Sequence, residues 1–148
     1  KKSLKIWSKI KWQNTITKAK NKSLTDTNEV NEDGSKMLDE KGNQVVTPGL
    51  RTIAKQKADR TAYSMLSRFS WLVERKITAD VAIPSEVTTF MANVRAAHKS
   101  ICDSIDACNS MSKFVAIHTN EYNEDGSLKT IAKINDWPDD YDIKSYYR

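Results

Sequence analysis

Glycine is scarce in this 148-residue chain. Its four copies, Gly34, Gly42, Gly49 and Gly126, stand in no phosphate-cradling arrangement, so nucleotide-dependent chemistry is not indicated. Histidine is rarer still, with His98 and His118 alone. The two cysteines, Cys102 and Cys108, lie six apart, which puts them on different sides of one helix. They read as buried reduced thiols rather than a disulfide, and no redox role follows. No run of about 18 apolar residues occurs, and Lys1-Lys2-Ser3-Leu4-Lys5 does not lead into an apolar segment of signal-peptide type. The expectation is a protein made in the cytosol, with no membrane partner.

What is present is charge and aromatic surface. With 29% charged and 39% hydrophobic residues the chain is wet for a globular protein, yet four Trp, five Tyr and three Phe are too many for a disordered one. Its length suits one domain with arms. The net charge of +5 is distributed in alternating blocks. Residues 1–24 carry eight lysines and no acid, 25–50 hold six acids against two lysines, 51–100 hold nine bases against four acids, and 101–148 hold nine acids against five bases. The basic arm, with Trp7 and Trp12, could follow a phosphate backbone and stack its indoles on bases. Because it has no arginine, which supplies bidentate and stacking contacts, acidic protein surface is the better partner and nucleic acid the weaker alternative.

The first 46 residues read as a basic arm followed by a β-meander. Leu4, Ile6, Ser8, Ile10 and Trp12 alternate with lysines and Trp7, the period of an edge strand, and Thr15-Ile16-Thr17 is a second β-prone patch. Asn31-Glu32-Asp33-Gly34 and Asp39-Glu40-Lys41-Gly42 each place Asn or Asp first and Gly last, as a type I turn with a glycine bulge requires. Short strands are expected near residues 36–38 and 44–46. A nine-residue segment, 27–35, recurs at 119–127 with Val30 replaced by Tyr122 as the sole difference. Its acids lack the alternation and terminal Glu of a calcium loop, so it reads as one hairpin turn used twice. Phe114-Val115-Ala116-Ile117-His118 on one side of the second copy, and Leu128 to Ile134 on the other, predict a β-hairpin over residues 110–135, with His118 at its surface.

Residues 47–109 read as a helical hairpin. Thr47 can cap a helix with Pro48 at its first position, and Leu50, Ile53, Ala54, Ala58, Ala62, Met65, Leu66, Phe69, Leu72 and Val73 then recur at three and four. Trp71 falls off that stripe. Pro84 opens a second helix with Ser85-Glu86 in its first turn, and Val87, Phe90, Met91, Val94, Ala97, Ile101, Ile105 and Cys108 form its stripe. The predicted fold class is α+β: a central antiparallel two-helix hairpin, a small antiparallel sheet built from N-terminal and C-terminal hairpins, and extended termini. Residues 136–148 have an acidic entry and an aromatic end, with Tyr141, Tyr146 and Tyr147. That composition suits a docking tail that orders on a neighbour, so deleting 139–148 is expected to leave helicity intact.

Catalytic chemistry finds little support on this scaffold. His98, Cys102 and Asp106 share one helix face at spacings of four. Three in-line ligands without a second cluster make a poor tetrahedral zinc site, and Cys102 with His98 lacks a third group or an oxyanion hole. The expectations are no enzyme, no cofactor and no metal.

Arg60, Met65-Leu66, Ser70-Trp71-Leu72-Val73 and Arg75 are followed by residues 82–87 (Ala-Ile-Pro-Ser-Glu-Val), Phe90, Val94-Arg95 and Asp136-Trp137-Pro138. This stretch, about half the chain, resembles the C-terminal module of tailed-bacteriophage tail assembly and tail-fibre assembly proteins. Those proteins carry an arginine, a helix to a tryptophan, a proline-opened second helix with a tyrosine and an arginine, and a closing Trp-Pro. Phe90 stands where the tyrosine is usual, and residues 113–134 form an insertion. The resemblance implies a structural or assembly protein of the virion tail, assembled in the host cytoplasm and contacting other tail or fibre proteins in multiple copies. A resident component and a transient chaperone both fit it. The resemblance also implies that Trp71, Arg75, Arg95 and Trp137 serve a partner interface. Composition, not the resemblance, adds Trp7 and Trp12 of the basic arm and Tyr141, Tyr146 and Tyr147 of the tail as further expected contacts. The competing reading has Trp71 packing across the hairpin while Arg75 and Arg95 pair with nearby carboxylates.

Overall fold

The computed structural model describes residues 23–147, and the chain divides into two compact units, Lys1–Ile53 and Ala54–Arg148. The fold is α+β. The expected strand over residues 4–12 and the patch at 15–17 lie outside the described residues.

In the first unit, β1 (Thr27–Asn28) pairs antiparallel with β2 (Val46–Thr47), and bridges join Val30 to Lys36 and Leu38 to Gln44. The three stretches close a ring: Glu29 N–H donates to Val45, Val45 to Met37, and Met37 to Glu29, at 2.8–3.1 Å. The Gln44 amide at the centre donates to the carbonyl of Glu29 at 2.7 Å and lies 3.1 and 3.2 Å from those of Met37 and Val45. This meander is held by backbone and amide polarity; its apolar side chains Val30, Met37, Leu38 and Val46 are exposed.

The repeated nine-residue segment forms the same turn twice. Gly34 and Gly126 adopt φ of 82° and 88°, the left-handed region that glycine enters without cost. In each copy the Asp carboxylate accepts the Ser backbone N–H and hydroxyl two residues on, at 2.6–2.9 Å.

Helix α1 (Leu50–Ser67) does not start as Thr47 and Pro48 suggest, since Thr47 belongs to β2. Its cap comes from residues distant in sequence. The Asp26 carboxylate accepts from Gly49 N–H at 2.7 Å and from the Thr52 hydroxyl at 2.6 Å, while the carbonyls of Ser23 and Leu24 take the N–H groups of Leu50 and Arg51. These satisfy donors that a helix start leaves without partners. The Thr52 and Gly49 bonds hold Asp26 below the usual carboxylate range.

The long first stripe is broken rather than continuous. At Phe69 (φ −109°, ψ 6°) the chain makes a tight turn before α2 (Ser70–Ala79). That turn buries Phe69 and Leu72 fully, brings Trp71 inward, and turns Val73 out, against the straight-helix expectation. Helix α2 ends at Asp80 in the left-handed region, which Asp tolerates. Helix α3 (Ser85–Asp106) follows Pro84 as predicted and buries Val87, Phe90, Val94, Ile101 and Ile105. The hairpin is antiparallel: Lys55 meets Asp106, Asp59 meets His98, and Phe69 packs edge-on against Phe90 at 5.8 Å. Each large side chain buried here is worth about 1.5–3 kcal/mol.

The predicted strand at residues 114–118 is instead part of helix α4 (Met111–Ala116) and its end. Ser110 caps the helix by accepting from Lys113 N–H, and Phe114 and His118 stack one turn apart at 4.4 Å. Capping and ring contact outweigh β-propensity here. His118 is half-buried, not a surface strand residue, and burial lowers its pKa. The hairpin itself is shorter than expected, with β3 (Glu121–Tyr122) and β4 (Leu128–Thr130) in a separate two-stranded ladder.

Candidate functional site

The predicted interface residues fall into distinct places. Trp7 and Trp12 lie outside the described residues, as does the side chain of Tyr141. Most of the others meet where the C-terminal segment folds over the helices of the second unit.

That segment forms a 3-10 helix (Tyr141–Tyr146) and is anchored by Ile143, buried in the cluster of Phe69, Leu72, Val87, Phe90 and Val94. The tail is thus ordered on its own chain, and an aliphatic residue set among acids was the signal for it. Trp71 Nε1 donates to the Tyr146 carbonyl at 3.1 Å, and the Tyr146 hydroxyl donates to Glu86 at 2.7 Å. The Tyr147 ring packs edge-on against Phe69 at 5.5 Å. Arg68, which sequence reasoning passed over, donates to Asp140 and to the Tyr147 hydroxyl, both at 3.0 Å, with its guanidinium 4.8 Å from that ring. Arg75 stacks on Trp71 at 5.0 Å instead of meeting a carboxylate, and its buried Nε has no hydrogen-bond partner among the described residues. Trp137 packs against the Ile143 cluster and against a second one of Ala58, Ile101 and Ile105, and donates to the Ile134 carbonyl at 3.2 Å. Arg95 is exposed on α3 and makes no ion pair among the described residues.

The Tyr147 hydroxyl also donates to Asp140, and that bond is the main reason the Asp140 carboxyl lies below its ordinary range; Lys144 and Arg68 add to it. A carboxyl whose folded pKa is depressed stabilises the fold above its unfolded value, and the contribution is lost as pH falls through the folded one. Asp140→Asn should therefore flatten the acid limb of a melting-midpoint profile against pH. Superimposable profiles for the two proteins would show that this carboxylate contributes nothing.

A second cluster joins α1 to α3. His98 Nε2 lies 2.6 Å from Asp59 Oδ1 and 3.5 Å from Cys102 Sγ. Asp106, the third member expected from sequence, is instead paired with Lys55 at 2.9 Å. Burial and then the charge of Asp59 raise the Cys102 pKa, which opposes a nucleophilic thiolate. Neither cysteine is in a disulfide, and Cys108 is buried. A cleft of about 140 Å³ beside Lys57, Ile101, His118 and Trp137 is smaller than the roughly 300 Å³ at which small-molecule sites begin.

The hairpins are the other exposed feature. Val30 is 57% and Leu38 55% exposed in the first unit, and Tyr122 50% and Leu128 52% in the second. Both ribbons therefore carry large apolar groups in solvent. Comparison with family models, with curated proteins and with solved structures finds no match. No helix among the described residues is long and apolar enough to cross a membrane.

Proposed function

We propose that this chain is a structural or assembly protein of a bacteriophage tail, acting through protein–protein contacts with other tail or fibre proteins in the virion. The family reading rests on the resemblance over residues 60–95 and 136–138. The mode of action rests on one observation: the meander of the first unit and the β3–β4 hairpin of the second both present apolar side chains to solvent. Two-stranded ribbons are marginal by themselves, and large apolar groups in solvent on short strands suit docking against another protein. In this reading the aromatic C-terminal residues are used internally to close the helical unit, and the ribbons make the partner contacts.

The test is incorporation. A Leu38→Asp, Leu128→Asp double variant should reduce co-purification with tails about tenfold or more while keeping the wild-type melting midpoint, because neither side chain is buried. Wild-type incorporation by that variant would refute the proposal. Mass spectrometry of finished particles then separates a resident component, present at a fixed ratio to other tail proteins, from a transient chaperone.

A further inference from the structure

The Asp59, His98 and Cys102 cluster has a geometry that hydrogen bonding alone does not explain. Its two α3 members sit one helical turn apart on one face, and Asp59 reaches them from α1. The Asp59 oxygen and the Cys102 sulfur both face the same imidazole atom, His98 Nε2. A neutral ring nitrogen offers either one N–H or one lone pair, so it cannot bond well to both. In a nucleophile–base–acid triad the acid and the nucleophile take opposite ring nitrogens, which this arrangement does not do. Three electron-pair donors, one each of oxygen, nitrogen and sulfur, instead lie within 4.8 Å of one another.

We propose that Asp59, His98 and Cys102 form a three-ligand site for a zinc-class divalent ion that clips α1 to α3, with water in the fourth position. Distances support the fit. A tetrahedral ion with bonds of about 2.0–2.1 Å to nitrogen and about 2.3 Å to sulfur separates those atoms by about 3.5 Å. That is the His98–Cys102 separation already present. By the same geometry the carboxylate oxygen would sit about 3.3 Å from Nε2 and about 3.5 Å from Sγ, so the Asp59 side chain must withdraw from Nε2 by roughly 0.7 Å and swing toward the sulfur, from within the 4.8 Å that now spans the three atoms. Asp59 is exposed and has room to do so. Imidazole and thiolate donors select zinc or cobalt over magnesium or calcium. Binding releases the Cys102 thiol proton to solvent, and the thiolate and carboxylate then balance the two charges of the ion. Lys55 is held by Asp106 and leaves both ligands free of a direct ion pair with it.

Titration of the full chain with Co²⁺ tests this independently of the tail reading. One equivalent should give a thiolate-to-cobalt charge-transfer band together with the intense visible bands of tetrahedral cobalt, and Zn²⁺ should displace it. Cys102→Ser should abolish the charge-transfer band, and His98→Ala should weaken binding about a hundredfold. Cys108→Ser should retain the full spectrum, because Cys108 Sγ is engaged with the Ser104 carbonyl and lies outside the cluster. Zn²⁺ should also slow alkylation of Cys102 in the wild-type chain, a readout that needs no variant to fold. Absence of the band at one equivalent, its survival in Cys102→Ser, or only the weak spectrum of octahedral surface cobalt would overturn the proposal.

Discussion

Replacing Ile143 with Ala should lower the thermal midpoint by roughly 4–20 °C, because truncating a fully packed aliphatic side chain costs about 2–5 kcal/mol and each kcal/mol moves the midpoint of a chain this size by about 2–4 °C. Ile143 is 4% exposed and lies among Phe69, Leu72 and Phe90. Removing residues 139–148 should cost more, since it also strips Tyr147 from Phe69, Tyr146 from Glu86, and Asp140 from Arg68. This reverses the expectation from composition, under which that deletion leaves helicity intact. Ser145→Ala serves as control: the side chain is exposed and the change should stay within about 0.5 kcal/mol. Circular dichroism melts of the three proteins decide the matter. A truncated chain melting like the full one would mean that the tail contributes nothing to the helical unit.

Gly49→Ala should disrupt the start of α1. An added Cβ would lie 2.3 Å from the Thr25 carbonyl carbon and 2.7 Å from the Leu24 oxygen, both backbone atoms that cannot swing aside. Relieving the overlap should cost about 1–3 kcal/mol, the usual range for overpacking, and the segment at 23–26 must move away. Leu50 and Arg51 donate to Ser23 and Leu24, and Gly49 to Asp26, so all three bonds should lengthen together. Hydrogen exchange at the Leu50 and Arg51 amides should accelerate at least tenfold. Unchanged protection would show that the segment accommodates a methyl group and that the close approach is incidental.

Features governed by neighbours in sequence were legible from the chain alone. The three glycine turns are local hydrogen-bond problems, and Asn31 to Ser35 and Asn123 to Ser127 solve theirs identically. The α3 stripe, Val87 through Ile105, is a periodicity that one uninterrupted helix preserves. The first stripe misled at its end because a single turn at Phe69 resets the helical phase, and no propensity announces that turn. The same limit applied to residues 114–118, where β-branched and aromatic residues suggested a strand. Ser110 and the Phe114–His118 contact decided for helix.

The apolar stripes of the helices and the turn chemistry were legible in the chain, since each depends on interactions within about four residues, and together they pointed to the α+β class. The chain pattern does not show that Asp26 caps a helix starting at Leu50, that Ile143 and Tyr147 close over Phe69, or that Asp59 rather than Asp106 joins His98 and Cys102. Those pairings span tens of residues, and they depend on how the helices approach one another after the break at Phe69. A pattern along the chain records which face of a helix is apolar. It does not record which residue of another element will meet it.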